Sequence, residues 1–148
     1  MPSIVLLSGP NLNLLGDREP EFYGTTTLVD LVSAAAAQAS EFGYDLAHTQ
    51  SNHEGALVDA IHAARDHAAA IVINPGAFTH YSYAIADALG AFGRPIIELH
   101  LSNTYRREAW RHRSVVSPLV TGIIMGLGAA GYPLAIAAAV KMIEENRA

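Results

Sequence analysis

The chain has 148 residues, is 51% hydrophobic and 16% charged, and carries a formal net charge of −5. That length suits one domain over 1–148 with a real core, and the balance excludes a disordered or fibrous chain. The acidic excess argues against a nucleic-acid partner, and the absence of Cys removes disulfides, thiolate metal sites and cysteine nucleophiles.

The predicted elements alternate along the chain. A first strand spans about Ser3–Leu7 around the apolar run Ile4-Val5-Leu6-Leu7. After it comes a connection from Gly9 to Gly24, GPNLNLLGDREPEFYG, of the length at which connections are usually functional or disordered. It carries two Asn, an Arg, two Glu, an Asp and a Tyr. A loop that only reversed the chain has no need of that mix, so the segment is expected to be a mobile part of an active site. Thr25-Thr26-Thr27 reads as a helix start, and the helix runs from about Leu28 to Phe42, stopped by Gly43.

A second strand follows at about Asp45–Thr49, a helix at Gly55–Asp66 and a β-branched strand at Ala70–Ile73. A helix at Tyr81–Phe92 ends at Gly93, and a strand spans Pro95–Leu99. A basic turn or short helix lies around Arg106–Arg113, then a strand at Val120–Met125 and a helix at Tyr132–Glu145. Unbroken apolar strands alternating with helices imply a parallel sheet covered on both faces. Five such strands predict an α/β, flavodoxin-like doubly wound sheet of order 2-1-3-4-5, with ligands beyond the carboxyl ends of the strands.

Ser114 to Val140 holds no charge and is long enough to span a bilayer. Pro118, Pro133 and the glycines at 122, 126, 128 and 131 interrupt it, which lipid would not tolerate. It is read as a buried strand, a Gly-rich turn and a core helix, and no membrane partner is expected. The amino terminus shows neither the basic nor the apolar region of a secretory signal, so a cytoplasmic location is expected.

Chemistry-bearing residues gather after three strands. The opening loop follows the first. Asn74-Pro75-Gly76-Ala77-Phe78-Thr79-His80-Tyr81-Ser82 follows the third, and His100-Leu101-Ser102-Asn103 follows the fourth, ahead of Arg106, Arg107, Arg111, His112 and Arg113. Each has a bland alternative. Asn-Pro-Gly is a common turn, His80 can cap a helix, His100 can be a bonded core histidine, and the Arg run can be a solvated face. Their convergence on one edge favours a site. None of the seven His stands in a metal-binding HExxH spacing, so no metal is expected. GPNLNLLG matches neither a Walker loop nor GxGxxG. The one lysine, Lys141, sits at a solvated helix end, a poor place for Schiff-base chemistry.

Six segments carry a family resemblance: GPNLNLLGDREPEFYG at 9–24, QSNHEG at 50–55, NPGAFTHYS at 74–82, ELHLSN at 98–103, REAWRHRS at 107–114 and GIIMGLGAAGY at 122–132. In this order and spacing the whole chain resembles the type II 3-dehydroquinate dehydratases of the shikimate pathway, which serves aromatic amino-acid biosynthesis. The resemblance implies a lyase that takes 3-dehydroquinate to 3-dehydroshikimate by anti elimination through an enolate, with no metal and no cofactor. It implies Tyr23 as the base at C2, Arg18 beside it favouring tyrosinate, and Asn11 stabilising the enolate through a water or oxygen. It implies His100 as the acid, oriented by Glu98 and aided by Asn74. Arg111, Ser102 and the Leu101 amide are to grip the carboxylate and hydroxyls, His80 to touch the substrate, and Arg107 to support the lid. Asp87 is to complete a neighbour's site in a homo-oligomer, a dodecamer built of trimers. Two departures, Asp17 and a Trp110 where Phe is common, are expected to touch none of these residues.

Physical chemistry is compatible with these roles. A tyrosine of pKa about 10 is about one part in a thousand ionised at pH 7, and lowering it by ~3 units needs roughly 4 kcal/mol. One cation about 4 Å away at an effective dielectric of ~20 supplies that much. Arg18 is near enough in sequence to pair with Tyr23 in a folded-over loop, whereas Asp17, Glu19 and Glu21 oppose the effect unless they point outward. Glu98 and His100 lie two apart on a strand and so face the same side. Two rivals stand beside this reading: a flavin- or nucleotide-binding module of the same fold, and an assembly protein without chemistry.

Overall fold

A computed structural model describes residues 1–17, 21, 25–146 and 148. The strands are β1 (Ser3–Ser8), β2 (Asp45–Gln50), β3 (Ala68–Asn74), β4 (Ile96–His100) and β5 (Gly122–Met125). They form one parallel sheet of order β2-β1-β3-β4-β5. The helices are α1 (Leu28–Glu41), α2 (Glu54–Ala64), α3 (Tyr83–Gly90) and α4 (Gly131–Glu144). This is the doubly wound flavodoxin-like order, with the reversal between β1 and β3.

Strand alternation divides the interior in two. Ile4 and Leu6 of β1, Ala70 and Val72 of β3, and Ile97 and Leu99 of β4 pack with Leu31, Ala35 and Ala39 of α1 and Tyr132, Ala135, Ile136 and Ala139 of α4. Val5, Leu7, Ile71, Ile73 and Ile96 turn the other way, against Leu57 and Ile61 of α2 and Ile85 and Leu89 of α3. Each large apolar side chain removed from water in this way contributes about 1.5–3 kcal/mol. The small residues of α1 explain its close seat on α4. Its amino end is fixed by a capping box, in which the Asp30 amide donates to Thr27 Oγ1 and the Thr27 amide donates to the Asp30 carboxylate, both at 3.2 Å.

Boundaries move where a tight turn intervenes. The helix expected from Tyr81 begins at Tyr83, because Gly76–His80 forms a 3-10 turn and Tyr81 leaves helical geometry at φ −152°, ψ −8°. The basic stretch becomes two short 3-10 turns, Thr104–Arg106 and Ala109–His112. Val120 still belongs to the turn at Ser117–Leu119, so β5 starts at Gly122. No helix among the described residues is long and apolar enough to cross a membrane.

Candidate active site

The floor of the site is made where the loops after β1 and β3 meet backbone to backbone. The Gly9 amide donates to the Asn74 carbonyl at 2.8 Å. A Cβ on Gly9 would fall 2.1 Å from the Pro75 carbonyl oxygen, so no side chain fits there. Gly76 turns at φ +58° against Pro10, a conformation that suits glycine. The Asn11 amide donates to Asn52 Oδ1 at 3.0 Å, and Gln50 Nε2 donates to the Gly9 carbonyl at 3.1 Å. Asn11 adopts φ 67°, a left-handed geometry that Asn tolerates better than most residues. Leu12 and Leu15 are buried in the α1/α4 core and pin the stem of the opening loop.

Beside this floor, β4 presents Glu98 and His100. Glu98 is fully buried. Its Oε2 accepts from Thr79 Oγ1 at 3.0 Å and His100 Nε2 at 2.5 Å, and its Oε1 accepts from Ser117 Oγ at 2.6 Å. Ser114 Oγ lies 2.7 Å from Thr79 Oγ1, which extends the chain of donors. Burial pushes the Glu98 carboxyl up, but the hydrogen bond and charge of His100 and the two hydroxyls outweigh it and hold the group below its ordinary 4.5. An ionised carboxylate only accepts, so His100 Nε2 must carry hydrogen. Nδ1 is therefore the nitrogen left to exchange a proton.

The rim comes from the 3-10 turns. His80 Nδ1 donates to the Arg113 carbonyl at 2.7 Å, which leaves Nε2 for the site. Burial lowers the His80 pKa, and the positive charges of His100 and Arg111 lower it further, although the Arg113 carbonyl and the Glu98 charge work the other way. Trp110 stands edge-on to His80 with ring centres 5.2 Å apart, and the Arg111 guanidinium lies 4.1 Å from the Trp110 ring centre. Arg111 Nε also donates to Glu108 at 3.1 Å, while the buried Arg107 side chain lies 3.6 Å from the same carboxylate.

Together these groups enclose a cavity of about 190 Å³. It is smaller than the roughly 300–1,000 Å³ typical of drug-sized ligands. Asn11, Asn74, His80, His100, Leu101, Ser102, Arg107 and Arg111, all expected from the sequence, line it. Glu98 sits behind His100. Arg107 is thus part of the wall itself. Two arginines face the space, and the nearest buried carboxylate is engaged by three donors and hidden, so the cavity suits a small anion.

Asp87 does not reach this cavity. It lies on the outer side of α3 in a shallow groove with Tyr83, Gly90, Val115 and Leu119. Arg18 and Tyr23 lie outside the described residues. The expectation for Trp110 is corrected: it touches both His80 and Arg111, because the turn at Ala109–His112 folds its ring back over the cavity. Thr79, Ser114, Ser117 and Tyr132 were not singled out by sequence reasoning. Tyr132 is fully buried, and its hydroxyl accepts from Asn74 Nδ2 at 3.0 Å. Among the described residues no cluster of three or more His, Asp or Glu could hold a metal ion.

Fold and cavity define a class: a doubly wound α/β protein with a hydrogen-bonded histidine–carboxylate pair at an arginine-lined pocket on the carboxyl edge of its sheet. The family model described as "Dehydroquinase class II" matches residues 2–140. The chain is 52% identical over 145 residues to the 3-dehydroquinate dehydratase of Jannaschia sp., covering 98% of both chains. It is 58% identical over 134 residues to the catabolic 3-dehydroquinase 1 of Neosartorya fischeri, covering 90% of this chain and 89% of that one. The crystal structure of type II dehydroquinase from Butyrivibrio crossotus superposes with a TM-score of 0.91 at 43% identity, covering 94% and 97% of the two chains. The chain belongs to the class II dehydroquinase family.

Proposed function

We propose that the chain is a hydro-lyase, a 3-dehydroquinate dehydratase that removes water from 3-dehydroquinate to give 3-dehydroshikimate. The observation that carries this reading is the Glu98–His100 pair, 2.5 Å apart, at a cavity rimmed by Arg107 and Arg111. The elimination runs through an enolate. Tyr23, with Arg18 alongside, takes the C2 proton, and Asn11 supports the enolate oxygen. His100 delivers a proton to the leaving C1 hydroxyl from the nitrogen that Glu98 does not hold, and Asn74 assists. Arg111, with Ser102 and the Leu101 amide, receives the substrate carboxylate and hydroxyls, and His80 offers Nε2 as an acceptor to a substrate hydroxyl. No metal or cofactor takes part.

The whole chain acts as one cytoplasmic catalytic domain, with neither nucleic acid nor membrane as partner. Asp87, turned away from its own cavity, is available to complete the site of a neighbouring copy in a dodecamer of trimers. The reaction feeds the shikimate pathway toward aromatic amino acids. Rescue of an aromatic auxotroph lacking this step supports that role, and failure of an active enzyme to rescue it points instead to quinate breakdown.

The decisive test follows ultraviolet absorbance of the conjugated enone formed from 3-dehydroquinate. Wild-type protein should generate it, and Tyr23→Phe should bind substrate yet nearly abolish turnover. No enone from wild type sinks the function. Substantial turnover by Tyr23→Phe removes Tyr23 as the base.

A further inference from the structure

A second polar cluster crosses the carboxyl edge of the sheet on the opposite face from Glu98, and of its members the proposed elimination uses Asn74 alone. Its members come from four elements: His48 on β2, Ser8 at the end of β1, Asn74 at the end of β3, and Tyr132 in the first turn of α4. Ser8 is the register partner of Asn74. Ser8 Oγ lies 2.9 Å from His48 Nε2 and adjoins the Tyr132 hydroxyl, and Asn74 Nδ2 donates to the Tyr132 hydroxyl at 3.0 Å. Asn74 Oδ1 accepts from the Gly76 amide at 3.2 Å.

The donor and acceptor roles follow one another. Tyr132 accepts from Asn74, and Ser8 lies between Tyr132 and His48, able to donate to one and accept from the other. Burial lowers the His48 pKa, which keeps the imidazole neutral and able to accept. Burial likewise pushes the Tyr132 hydroxyl up to about 12, so it stays protonated. Asn74 is thereby held at both ends of its amide. One N–H is fixed on Tyr132 and one lone pair on Gly76, which leaves one N–H and one lone pair for the cavity that Asn74 lines.

We propose that Tyr132 is a positioning residue for the reaction: through the chain Asn74 to Tyr132 to Ser8 to His48 it holds the Asn74 amide in the one orientation that serves the departing hydroxyl beside His100. This rests on the proposed dehydration. Without the Tyr132 hydroxyl, the amide group of Asn74 has no buried acceptor on that side and gains rotational freedom. The loss falls on the chemical step, because the grip of Arg111 on the substrate is untouched.

The test is a double-mutant cycle with 3-dehydroquinate on Tyr132→Phe, Asn74→Ala and the pair, with thermal stability measured on each protein. Tyr132→Phe should lower kcat about tenfold, the factor that corresponds to about 1.4 kcal/mol, and move KM less than about twofold. The double variant should be no slower than Asn74→Ala alone. Ser8→Ala, which deletes the next link without opening a large cavity, should lower kcat in the same direction by less, and it serves if Tyr132→Phe does not fold. Losses that multiply in the double variant, or full kcat in Tyr132→Phe, overturn the proposal. A wild-type protein that makes no enone fails the dehydration reading instead, and non-additive melting shifts then still test the hydrogen-bonded chain itself.

Discussion

Two polar clusters flank the carboxyl edge of the sheet, one on each face, and they differ in kind. On the α2/α3 face, Glu98 is a buried charge met by Thr79, Ser117 and His100. On the α1/α4 face, Asn74, Tyr132, Ser8 and His48 form a chain of neutral groups. A buried charge is costly unless every lone pair is engaged, and in return it fixes which nitrogen of a neighbouring imidazole carries hydrogen. A neutral chain costs less and moves no charge, but it can set the direction of an amide. In the proposed elimination, proton transfer would come from one face and orientation from the other.

Glu98→Ala attacks the comparison hardest. It leaves His100, Thr79 and Ser117 without their shared acceptor. Breaking such a buried pair costs about 3–5 kcal/mol, and losing a positioned proton donor costs about 10²–10⁴ in rate. Denaturant melts and enone kinetics should show both, and a stable, active Glu98→Ala would mean the charge is incidental. Tyr132→Phe comes next, at the tenfold level given above. The ratio between these two losses measures the difference between the clusters.

The pH dependence separates them further. The folded Glu98 pKa lies below its ordinary value, so its contribution to stability is present above about pH 4.5 and is lost as pH falls through the folded pKa. Melting temperatures from pH 6 down to 3 should therefore fall less steeply in Glu98→Gln than in wild type. Equal acid slopes in wild type and Glu98→Gln would contradict the charged assignment.

The smallest effect belongs to Trp110→Leu. Trp110 is 54% exposed, and a cation–π contact at an exposed site is worth about 0.5–1 kcal/mol. KM should rise roughly two- to fivefold by the usual conversion, with kcat little changed and Trp110→Phe in between. A fall in kcat alone would show that the ring serves His80 rather than Arg111.

Much of this was legible in the sequence for reasons that can be named. Apolar runs at Ile4–Leu7 and Ala70–Ile73 and the strand read at Pro95–Leu99, separated by helical patterns, prescribe a parallel sheet and its order. Strand periodicity put Glu98 and His100 on one face, and the structure keeps them there. Thr79 and Ser117 escaped notice because they reach Glu98 from turns 19 residues away on either side, and nothing local marks a hydroxyl as a partner for a distant carboxylate. Tyr132 looked like core filling, since an apolar helix hides which of its aromatics carries a bonded hydroxyl. The contacts of Trp110 were not legible because a substitution seen against a family pattern does not show where the ring points, and only the 3-10 turn brings it to His80 and Arg111.

The side chains that face the two clusters are sorted only by odd and even position along each strand. In β4, Glu98 and His100 point one way while Leu99 points the other. Sliding β4 by a single residue against β3, where three residue pairs set the alignment, would present leucine to the cavity and bury the acid in hydrocarbon. The catalytic apparatus is therefore encrypted in a reading frame. A one-residue insertion anywhere between Ile96 and His100 should erase the enzyme, whereas the same insertion in the exposed turn at Gly93 should pass almost unnoticed.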